Sequence, residues 1–417
     1  MKGSAALAPT LVEATRAVAR VASGRSLAEE RTAPRGAVLD LVHGTLRAYG
    51  RVQAVVRALS LRGEPEELVQ ALLWCSVYAL DSRRYADYTV VDQAVRACTL
   101  LERWSAKGYV NGLLRSFLRQ RSSMDERLRA DPQARYQHPA WWIDAVRAAY
   151  PQCWEEVLAA GNSHPPMALR VNRRRASASE YAGRLAAAGI AARHLGAEAL
   201  LLDHPVPVER LPGFMEGEVS VQDAGAQRAA RCLELASGQR VLDACAAPGG
   251  KSAHLLETAD VALTALDIVA ERCARIAQNL ERLGLSASVR AADCTRLESW
   301  WDGVPFERIL ADVPCSSSGV VRRHPDVKWL RRQSDVAAFA TRQAAIVDAL
   351  WRVLAPNGKL LYVTCSVFPQ ENEELVESFV AHTAGAHRPP LADGEPAQWL
   401  PGPQRDGFYY AVIQKQA

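Results

Sequence analysis

In the first third of the chain, apolar residues recur at intervals of three and four. Stretches of this kind cover residues 38–46, 68–80 and 110–118, and the spacing places their apolar side chains on one face of an α-helix. No strand-like alternation of any length interrupts them. The pattern predicts an all-α domain over residues 1–135.

The middle of the chain has a different pattern. A connector that contains Trp and Pro covers residues 136–165. Strand-like apolar runs at 167–172 and 199–202 then flank a helical stretch at 177–189. Two periods within so short a segment indicate a mixed module. We therefore predict a connector and a small α+β module over residues 136–235.

After Gly238, short apolar strands alternate with helices. This alternation predicts a parallel sheet with helices on both faces, and hence a C-terminal Rossmann-like α/β domain over residues 236–417. Ligands of open parallel sheets bind beyond the carboxyl ends of the strands, so the loops there should carry the chemistry. The predicted strands are 241–243, 261–267, 287–291, 309–312 and 360–364, and the predicted helices include 270–283 and 334–354.

The composition is that of a folded, soluble protein. Of 417 residues, 49% are hydrophobic and 23% are charged, which excludes disorder over most of the length. No apolar stretch approaches the roughly 18 residues that a membrane span needs. Pro9 and Glu13 interrupt the apolar start of the chain, which does not resemble a cleaved signal. We expect a cytoplasmic protein without a membrane partner.

Positive charge is concentrated at the front of the chain. Residues 1–135 carry 21 Lys and Arg against 14 Asp and Glu, a net of +7, whereas the whole chain has a net charge of +4. Such an asymmetry indicates a polyanionic partner for the first domain.

The nine cysteines are scattered singly, and no two lie two to four residues apart. This spacing argues against a zinc site, and the odd number argues against a closed disulfide framework. We expect no metal. For Cys245 the simplest interpretation is close packing in its loop. Six others are interpreted as buried, inert residues: Cys75, Cys98, Cys153, Cys232, Cys273 and Cys294.

The loop after the first strand of the C-terminal domain allows two interpretations. As a phosphate loop, it matches Gly250, Lys251 and Ser252, but Cys245 stands where the first glycine must be. As a loop for a phosphate-free nucleoside cofactor, it suits S-adenosylmethionine, because small residues let the backbone approach the ligand closely.

Acidic residues favour the second interpretation. Asp267 ends the second strand, where a carboxylate can accept hydrogen bonds from both ribose hydroxyls. Asp293 follows the third strand and is placed to contact the adenine amino group. Asp is common after strands as a turn former, but an acid at each of these strand ends makes the cofactor hypothesis stronger than the structural one.

Two cysteines directly follow strands at the functional edge. Cys315 follows the strand 309–312, and Cys365 follows the strand 360–364. If these strands are neighbours, about 5 Å apart, both thiols face one pocket beside the cofactor.

A thiol assists methyl transfer only where the target atom is a poor nucleophile. Carbon 5 of a pyrimidine is such an atom: thiolate addition at carbon 6 pushes electron density onto carbon 5, which can then attack the methyl sulfonium. The addition needs an acid or a hydrogen bond at ring N3, for which Asp312 is well placed, and Lys251 can hold that carboxylate or the base. The two thiols, Asp312 and Lys251 are therefore the predicted catalytic residues.

At these residues the sequence resembles the RsmB/Sun family of ribosomal RNA cytosine-5 methyltransferases. Residues 241–251 are similar to the family's cofactor motif, 312–315 to its D-x-P-C motif and 364–366 to its T-C-S motif. Further similar segments are 221–223, 322–329, 369–373 and 406–411. Segments 41–47 and 108–115 are similar to parts of the NusB-like RNA-binding domain that this family carries at its N-terminus.

The resemblance implies roles for individual residues. Cys365 would be the nucleophile that adds to carbon 6, and Cys315 would assist release of the product after loss of the carbon-5 proton. The implied cofactor is S-adenosylmethionine and the implied partner is 16S ribosomal RNA, and no obligate protein partner is inferred. The implied cofactor contacts are Cys245, Ala246, Ala247, Pro248, Gly249, Gly250, Lys251, Asp267, Asp293 and Asp312.

One departure and one cluster accompany these motifs. Ser317 and Ser318 stand where the family has Gly or Ala followed by Thr, which leaves the conformation of this loop open. Arg322, Arg323 and His324 follow the Cys315 loop and are candidates for holding the RNA backbone beside an extruded base.

Three hypotheses remain. The first is cytosine-5 methylation of 16S rRNA, with tRNA or 23S rRNA as alternative substrates of the same chemistry. The second is an ATP- or GTP-dependent enzyme that uses the loop around Lys251, which the missing glycine disfavours. The third is a non-enzymatic RNA-binding protein, which the two thiols and the strand-end acids disfavour.

Overall fold

The computed structural model describes residues 7–29, 36–60 and 63–417, and Ala5 and Ala6 of the apolar N-terminal run lie outside them. The chain forms two compact units. The first takes in the described residues up to His164 together with Val321–Gln333, and the second takes in Pro165–Val320 and Ser334–Ala417.

The first unit is helical, as the spacing of apolar residues predicts. The fully buried side chains of Leu11, Leu72, Leu80 and Phe117 lie in one continuous apolar core. Its helices up to His164 are α1 (Leu7–Ala22), α2 (Gly36–Arg47), α3 (Tyr49–Leu59), α4 (Glu67–Asp81), α5 (Asp87–Leu100), α6 (Lys107–Leu128), α7 (Pro132–Tyr136), α8 (Ala140–Ala149) and α9 (Trp154–Asn162).

The segment 136–165, predicted as a connector, is helical instead. Pro139 lies immediately before α8 and Pro151 lies beyond its end, so neither proline interrupts a helix. Trp142 and Val146 are buried and share one face of α8. The prolines mark helix ends here, not an irregular connection.

The small module opens the second unit. Its antiparallel sheet has the order β2–β3–β1–β4, and a capping box between Ser177 and Glu180 begins its helix. Strands β2 and β4 are three residues each, too short to show a period in the sequence. The elements are β1 (Ala168–Val171), α10 (Ala178–Ala187), β2 (Ala192–His194), β3 (Ala199–Leu202) and β4 (Val219–Val221).

A larger sheet with flanking helices forms the rest of the second unit. Its strand order is β10–β12–β9–β8–β5–β6–β7, and β11 pairs with β12. The strands are β5 (Arg240–Asp243), β6 (Ala262–Asp267), β7 (Ser288–Ala291), β8 (Phe306–Asp312), β9 (Leu354–Thr364), β10 (Ala386–His387), β11 (Gln398–Trp399) and β12 (Phe408–Lys415). The remaining helices are α11 (Arg228–Leu233), α12 (Gly250–Thr258), α13 (Ala270–Leu283), α14 (Val327–Leu330, in the first unit), α15 (Gln333–Val353) and α16 (Glu373–His382).

The large sheet is mixed, which corrects the prediction of a parallel sheet. Strands β5 to β9 are parallel, but β12 pairs antiparallel with β9. The chain passes from β5 outward to β6 and β7 and then returns to β8 on the other side of β5. Such a reversal of strand order opens a crevice between the loops that follow β5 and β8.

The predicted fold class is confirmed: a helical N-terminal domain, a small mixed module and a C-terminal α/β domain. The boundaries at 135 and 235 stay predictions. Among the helices that the structure describes, none has the length and apolar character needed to cross a membrane.

Candidate active site

A cavity of about 400 Å³ opens at the carboxyl ends of β5 to β9. This is the sheet edge at which the sequence analysis places the chemistry. Its walls bring together residues of five strand-end loops and one face of α15. The lining includes Cys245, Ala247, Asp267, Ile268, Arg272, Asp293, Cys294, Asp312, Cys315, Ser317, Arg342, Ile346 and Cys365.

The loop between β5 and α12 forms one wall of the cavity. Gly249 has a φ of +96°, and a Cβ atom there would lie 3.1 Å from the Cα of Ile276, so only glycine fits this turn without displacing α13. Helix α12 then begins at Gly250. Of the predicted cofactor contacts in this loop, Cys245 and Ala247 line the cavity, and the residues from Pro248 to Lys251 are not among its lining residues.

Asp267 ties this loop to the end of β6. The Ala247 N–H donates to Asp267 Oδ2 at 3.3 Å, and Arg272 Nη1 lies 3.4 Å from the same oxygen. The Asp267 side chain is only 4% exposed. The predicted ribose carboxylate therefore lies at the cavity and is already oriented by the backbone of the cofactor loop.

Asp293 follows β7 and also lines the cavity. Its Oδ1 accepts hydrogen bonds from the Thr295 N–H at 2.9 Å and from the Thr295 hydroxyl at 2.7 Å. Burial acts to raise the pKa of Asp293, but these hydrogen bonds outweigh it and lower the pKa. Asp293 faces the cavity as an ionised, fixed acceptor.

Two cysteines, Cys245 and Cys294, lie together where the loops after β5 and β7 meet at the cavity. A hydrogen bond between their thiols raises the pKa of Cys245 and lowers that of Cys294. Cys294 is interpreted from the sequence as an inert buried residue, but it lines the cavity. Spacing along the chain does not reveal this pair, because the two residues follow strands that are not adjacent in the sheet.

The other end of the cavity holds Cys315 and Cys365, whose Sγ atoms are 3.4 Å apart. Strands β8 and β9 are paired neighbours, with Asp312 opposite Val363, which brings the following loops together as the sequence predicts. The hydrogen bond to Cys365 and burial raise the pKa of Cys315 well above its ordinary value. Burial and the neighbouring sulfur therefore keep Cys315 as a thiol, and the two sulfur atoms lie within hydrogen-bonding distance of each other.

Lys251 and Asp312 form an ion pair beside the thiols. Lys251 Nζ donates to Asp312 Oδ2 at 2.6 Å, and the two side chains are 12% and 30% exposed. Burial acts to lower the pKa of Lys251, but Asp312 and Cys365 raise it by more. Lys251 is therefore charged, and the predicted contact with the Asp312 carboxylate is present.

Asp243 is a further acid at this edge, with no role assigned from the sequence. It is fully buried, and the Ser252 hydroxyl donates to its Oδ2 at 2.6 Å. Burial raises the pKa of Asp243 to about 7, although the hydrogen bond from Ser252 acts to lower it. Its position at the end of β5, like Asp267 at the end of β6, is the signal that marks it.

Arg272 and Arg342 are lining residues that sequence reasoning missed. Arg272 lies in the first turn of α13 and donates to the carbonyl oxygen of Ala247 at 3.0 Å. Arg342 lies on α15, a long helix whose period does not show which face meets the cavity. Only the folded position of these helices makes the two cations part of the site.

Within the basic cluster after the Cys315 loop, Arg322 does not have the position expected of a phosphate contact, whereas Arg323 is half-buried and His324 is exposed. Arg322 is 1% exposed within the helical unit. Its carbonyl oxygen accepts hydrogen bonds from the Arg47 guanidinium at 2.7 and 3.0 Å. Arg322 is therefore a packed residue of the helical unit, which corrects its predicted role in holding RNA.

Comparison with known families covers all three parts of the chain. The family model described as 16S rRNA methyltransferase RsmB/F matches residues 230–414, and a ferredoxin-like domain of RsmF/B-like methyltransferases matches residues 138–209. The NusB family matches residues 11–119.

Curated relatives are similar over almost the whole length. A ribosomal RNA small subunit methyltransferase B from Pseudomonas syringae pv. tomato is 43% identical, with 92% of this chain and 90% of the relative covered. One of the same description from Pseudomonas putida is 42% identical, with 97% and 98% covered. The chain belongs to the RsmB/F family of 16S rRNA methyltransferases. Both relatives are similar to this RsmB/F family member over the helical front domain as well as the α/β domain.

Solved structures show the same fold as this RsmB/F family member. The crystal structure of PH0851 has a TM-score of 0.79 at 20% identity and covers 98% of this chain and 99% of its own. A methyltransferase homologue from Pyrococcus horikoshii has a TM-score of 0.61 at 25% identity and covers 68% and 98%.

Proposed function

We propose that the protein transfers a methyl group from S-adenosylmethionine to carbon 5 of a cytosine in 16S rRNA, through a covalent bond between Cys365 and carbon 6. The observation that carries this proposal is the thiol pair beside the Lys251–Asp312 ion pair in the cavity. Methylation at a base nitrogen or at a ribose hydroxyl needs no thiol, because these atoms can attack the methyl group directly.

The lining residues fit a phosphate-free nucleoside cofactor. Three carboxylates, Asp267, Asp293 and Asp312, line the cavity and can accept hydrogen bonds from ribose hydroxyls and amino groups. The same carboxylates would repel a triphosphate, which disfavours the ATP- or GTP-dependent alternative. When bound, S-adenosylmethionine supplies an electrophilic methyl group on a positively charged sulfur.

The two thiols have different proposed roles. The Cys365 sulfur, which lies 3.4 Å from Cys315 Sγ and near the Lys251 ammonium, gives up its proton to solvent and is the nucleophile that bonds to carbon 6. The Asp312 carboxyl group takes a proton from the Lys251 ammonium to which it is bonded and donates it to ring N3, which balances the electron pair displaced onto the ring. Carbon 5 thereby becomes nucleophilic enough to take the methyl group.

Release reverses the addition. Water in the cavity takes the proton of carbon 5, the electron pair of that bond re-forms the double bond between carbons 5 and 6, and the Cys365 sulfur leaves with the electron pair of its bond to carbon 6. Cys315 lies 3.4 Å from the leaving sulfur, close enough for its thiol to assist this step. The proposed substrate places the reaction in the cytoplasm.

The test compares the covalent RNA adducts formed by variants that lack Cys315, Cys365 or both. Cys315→Ala, Cys365→Ala and the double variant are incubated with unmodified 16S rRNA and labelled cofactor, and adducts are resolved on denaturing gels. We expect Cys315→Ala to accumulate an adduct that maps to Cys365 by mass spectrometry, and both variants without Cys365 to give none. Cys98→Ala, in the core of the helical unit, is the matched control.

An adduct that persists without Cys365, or methylated RNA in which the mark is not on cytosine carbon 5, contradicts the proposal. Parallel incubations with tRNA and 23S rRNA distinguish the substrates, because the proposal requires 16S rRNA to be methylated fastest.

A further inference from the structure

A buried carboxylate lies behind the two thiols. Glu371 follows β9 and is fully buried. Its Oε1 accepts hydrogen bonds from the Ser316 N–H at 2.8 Å and from Gln343 Nε2 at 3.0 Å, and its Oε2 accepts one from the Ser366 hydroxyl at 2.6 Å. Ser316 is next to Cys315 in the chain and Ser366 is next to Cys365, so one carboxylate contacts both thiol loops.

A cluster of serine hydroxyls completes this link. The Oγ atoms of Ser316, Ser318 and Ser366 lie 3.0–3.1 Å from one another. Ser318 Oγ also accepts a hydrogen bond from the Val367 N–H at 2.8 Å. The hydroxyl of Ser318, where the resembled family has Thr, therefore joins the Cys315 loop to the chain that follows Cys365.

The Cys315 loop needs this support. Ser317 has a φ of +62°, a left-handed conformation that costs a non-glycine residue about 1 kcal/mol and persists only where its surroundings fix it. The fixed points on either side are the Ser316 N–H on Glu371 and the Ser318 hydroxyl in the serine cluster. Without them, the loop is free to relax and the Cys315 sulfur moves with it.

Burying Glu371 is expensive, so its contacts require an explanation beyond stability. A carboxyl group loses its contacts with water on burial, which costs free energy even where hydrogen bonds compensate. What it provides in return is geometry, because its two oxygens accept three hydrogen bonds, two of them from the two thiol loops. The backbone of Glu371 is fixed as well, since its carbonyl oxygen accepts a hydrogen bond from the Tyr362 hydroxyl at 2.6 Å.

We propose that Glu371 is a positioning residue that holds the Cys315 and Cys365 loops together, so that the Cys315 thiol stays next to the Cys365 sulfur. It touches neither sulfur and acts through Ser316 and Ser366. Its effect on turnover rests on the proposed function. Its effect on the spacing of the two sulfur atoms does not.

The experiment measures that spacing directly in the full-length protein. Phenylarsine oxide bridges two nearby thiols, forming two As–S bonds and releasing one water, and mass spectrometry identifies the bridged peptides. We compare the wild type with Glu371→Gln and Glu371→Ala, and use Cys315→Ser to assign the bridge. Glu374→Gln, an exposed carboxylate on α16, is the matched control.

We expect Glu371→Ala to slow bridging of Cys315 and Cys365 by about tenfold and to lower kcat by about 10²-fold, because small displacements of reacting groups are this costly. Glu371→Gln keeps an acceptor for Ser316 and should fall between the wild type and Glu371→Ala. The KM for RNA and the cofactor affinity should change less than about twofold, since a group that acts on the reacting atoms affects kcat. Glu374→Gln should match the wild type.

The proposal is overturned if Glu371→Ala has the same free energy of unfolding as the wild type and also keeps the wild-type bridging rate and kcat. If Glu371→Ala does not fold, Glu371→Gln and Ser318→Ala carry the test, and wild-type bridging in both overturns it. Absence of a Cys365–RNA adduct in Cys315→Ala contradicts the proposed function but leaves the bridging result intact. A normal adduct combined with unchanged Glu371 variants contradicts only the role of Glu371.

Discussion

The two units place a lysine in opposite surroundings. In the second unit, Lys251 pairs with the Asp312 carboxylate at 2.6 Å, and its pKa is raised. In the helical unit, Lys328 is fully buried and donates to Asn162 Oδ1 at 2.6 Å and to the Arg47 carbonyl oxygen at 3.2 Å. Burial and the Arg47 charge lower the pKa of Lys328 far below its ordinary value. The surroundings therefore shift the pKa values of the two lysines in opposite directions.

The cysteines of the two units differ in the same way. Cys75 is fully buried in the helical core, and burial raises its pKa to about 12, so its thiol is inert at neutral pH. Cys365 lines the cavity, and its sulfur lies 3.4 Å from that of Cys315. A thiol that is only buried, like that of Cys75, has a structural role. A thiol that has a polar neighbour and faces a cavity, like that of Cys365, can react with a substrate.

The largest effect expected from this difference is on Cys365. Cys365→Ala should reduce methyl transfer by about 10³-fold or more, because the proposed covalent step is lost. Cys75→Ala should leave kcat unchanged and lower the free energy of unfolding by about 1 kcal/mol, as for other small core truncations. Incorporation of labelled methyl groups at matched protein concentration measures both. Equal activity of the two variants would remove the distinction between the units.

The next largest difference is expected between substitutions of the two lysines. Lys251→Met should lower kcat by about 10²-fold, since it removes the proposed proton source, and should change the free energy of unfolding by less than about 1 kcal/mol, since the pair is partly exposed. Lys328→Met should leave kcat unchanged and cost about 1–2 kcal/mol of stability, because the Asn162 oxygen loses its donor. Single-turnover rates and urea unfolding measure the pair. A loss of activity in Lys328→Met would give the helical unit's lysine a role in chemistry.

The parts of the molecule that the sequence predicts correctly depend on local signals. Helix α13 is found at the predicted residues, because its apolar positions keep one period and Gly284, with a φ of +67°, ends it. The ends of β6 at Asp267 and of β8 at Asp312 are also found where predicted, because each acid ends a short apolar run. The meeting of Cys315 with Cys365 follows from these local signals and one topological assumption, that β8 and β9 are neighbours.

What the sequence does not reveal depends on distant contacts. Glu371 and Lys328 are charged residues that a pattern of polar positions assigns to the surface, yet both are fully buried. Arg322 belongs to a basic run but packs in the helical unit against Arg47, which is far from it in the chain. No local period encodes these partners, because burial of a charge is decided by the residue that meets it.

The acid at the end of β5 should set a pH dependence in the second unit. Burial raises the pKa of Asp243 from 3.8 to about 7, so the folded protein holds a proton that the unfolded chain releases. The free energy of unfolding should therefore fall as the pH rises between these values, by up to about 1.4 kcal/mol per pH unit. Asp243→Asn should remove this slope, measured by urea unfolding of the cofactor-free protein from pH 4 to pH 8. A slope that survives in Asp243→Asn assigns it to other groups.

The smallest effect, of opposite sign, should come from the helical unit. Burial, with help from the Arg47 charge, lowers the pKa of His43 from 6.5 to about 4. The unfolded chain therefore binds a proton that the folded unit excludes, and stability should be lost as the pH falls through this window. Because His43 is only partly buried, we expect the loss to be about 1 kcal/mol.

Peptide-resolved hydrogen exchange at pH 5 and pH 7 tests this sign within the helical unit itself. Protection of peptides from α2 and α3 should decrease at the lower pH in the wild type, after correction for the intrinsic exchange rate. The decrease should be absent in His43→Gln, because glutamine keeps a polar side chain at this site but takes up no proton. His194→Gln, at an exposed position on β2, should behave as the wild type. If protection in α2 and α3 instead rises at pH 5, the helical unit titrates like the acid-bearing sheet, and the electrostatic contrast between the two units does not hold.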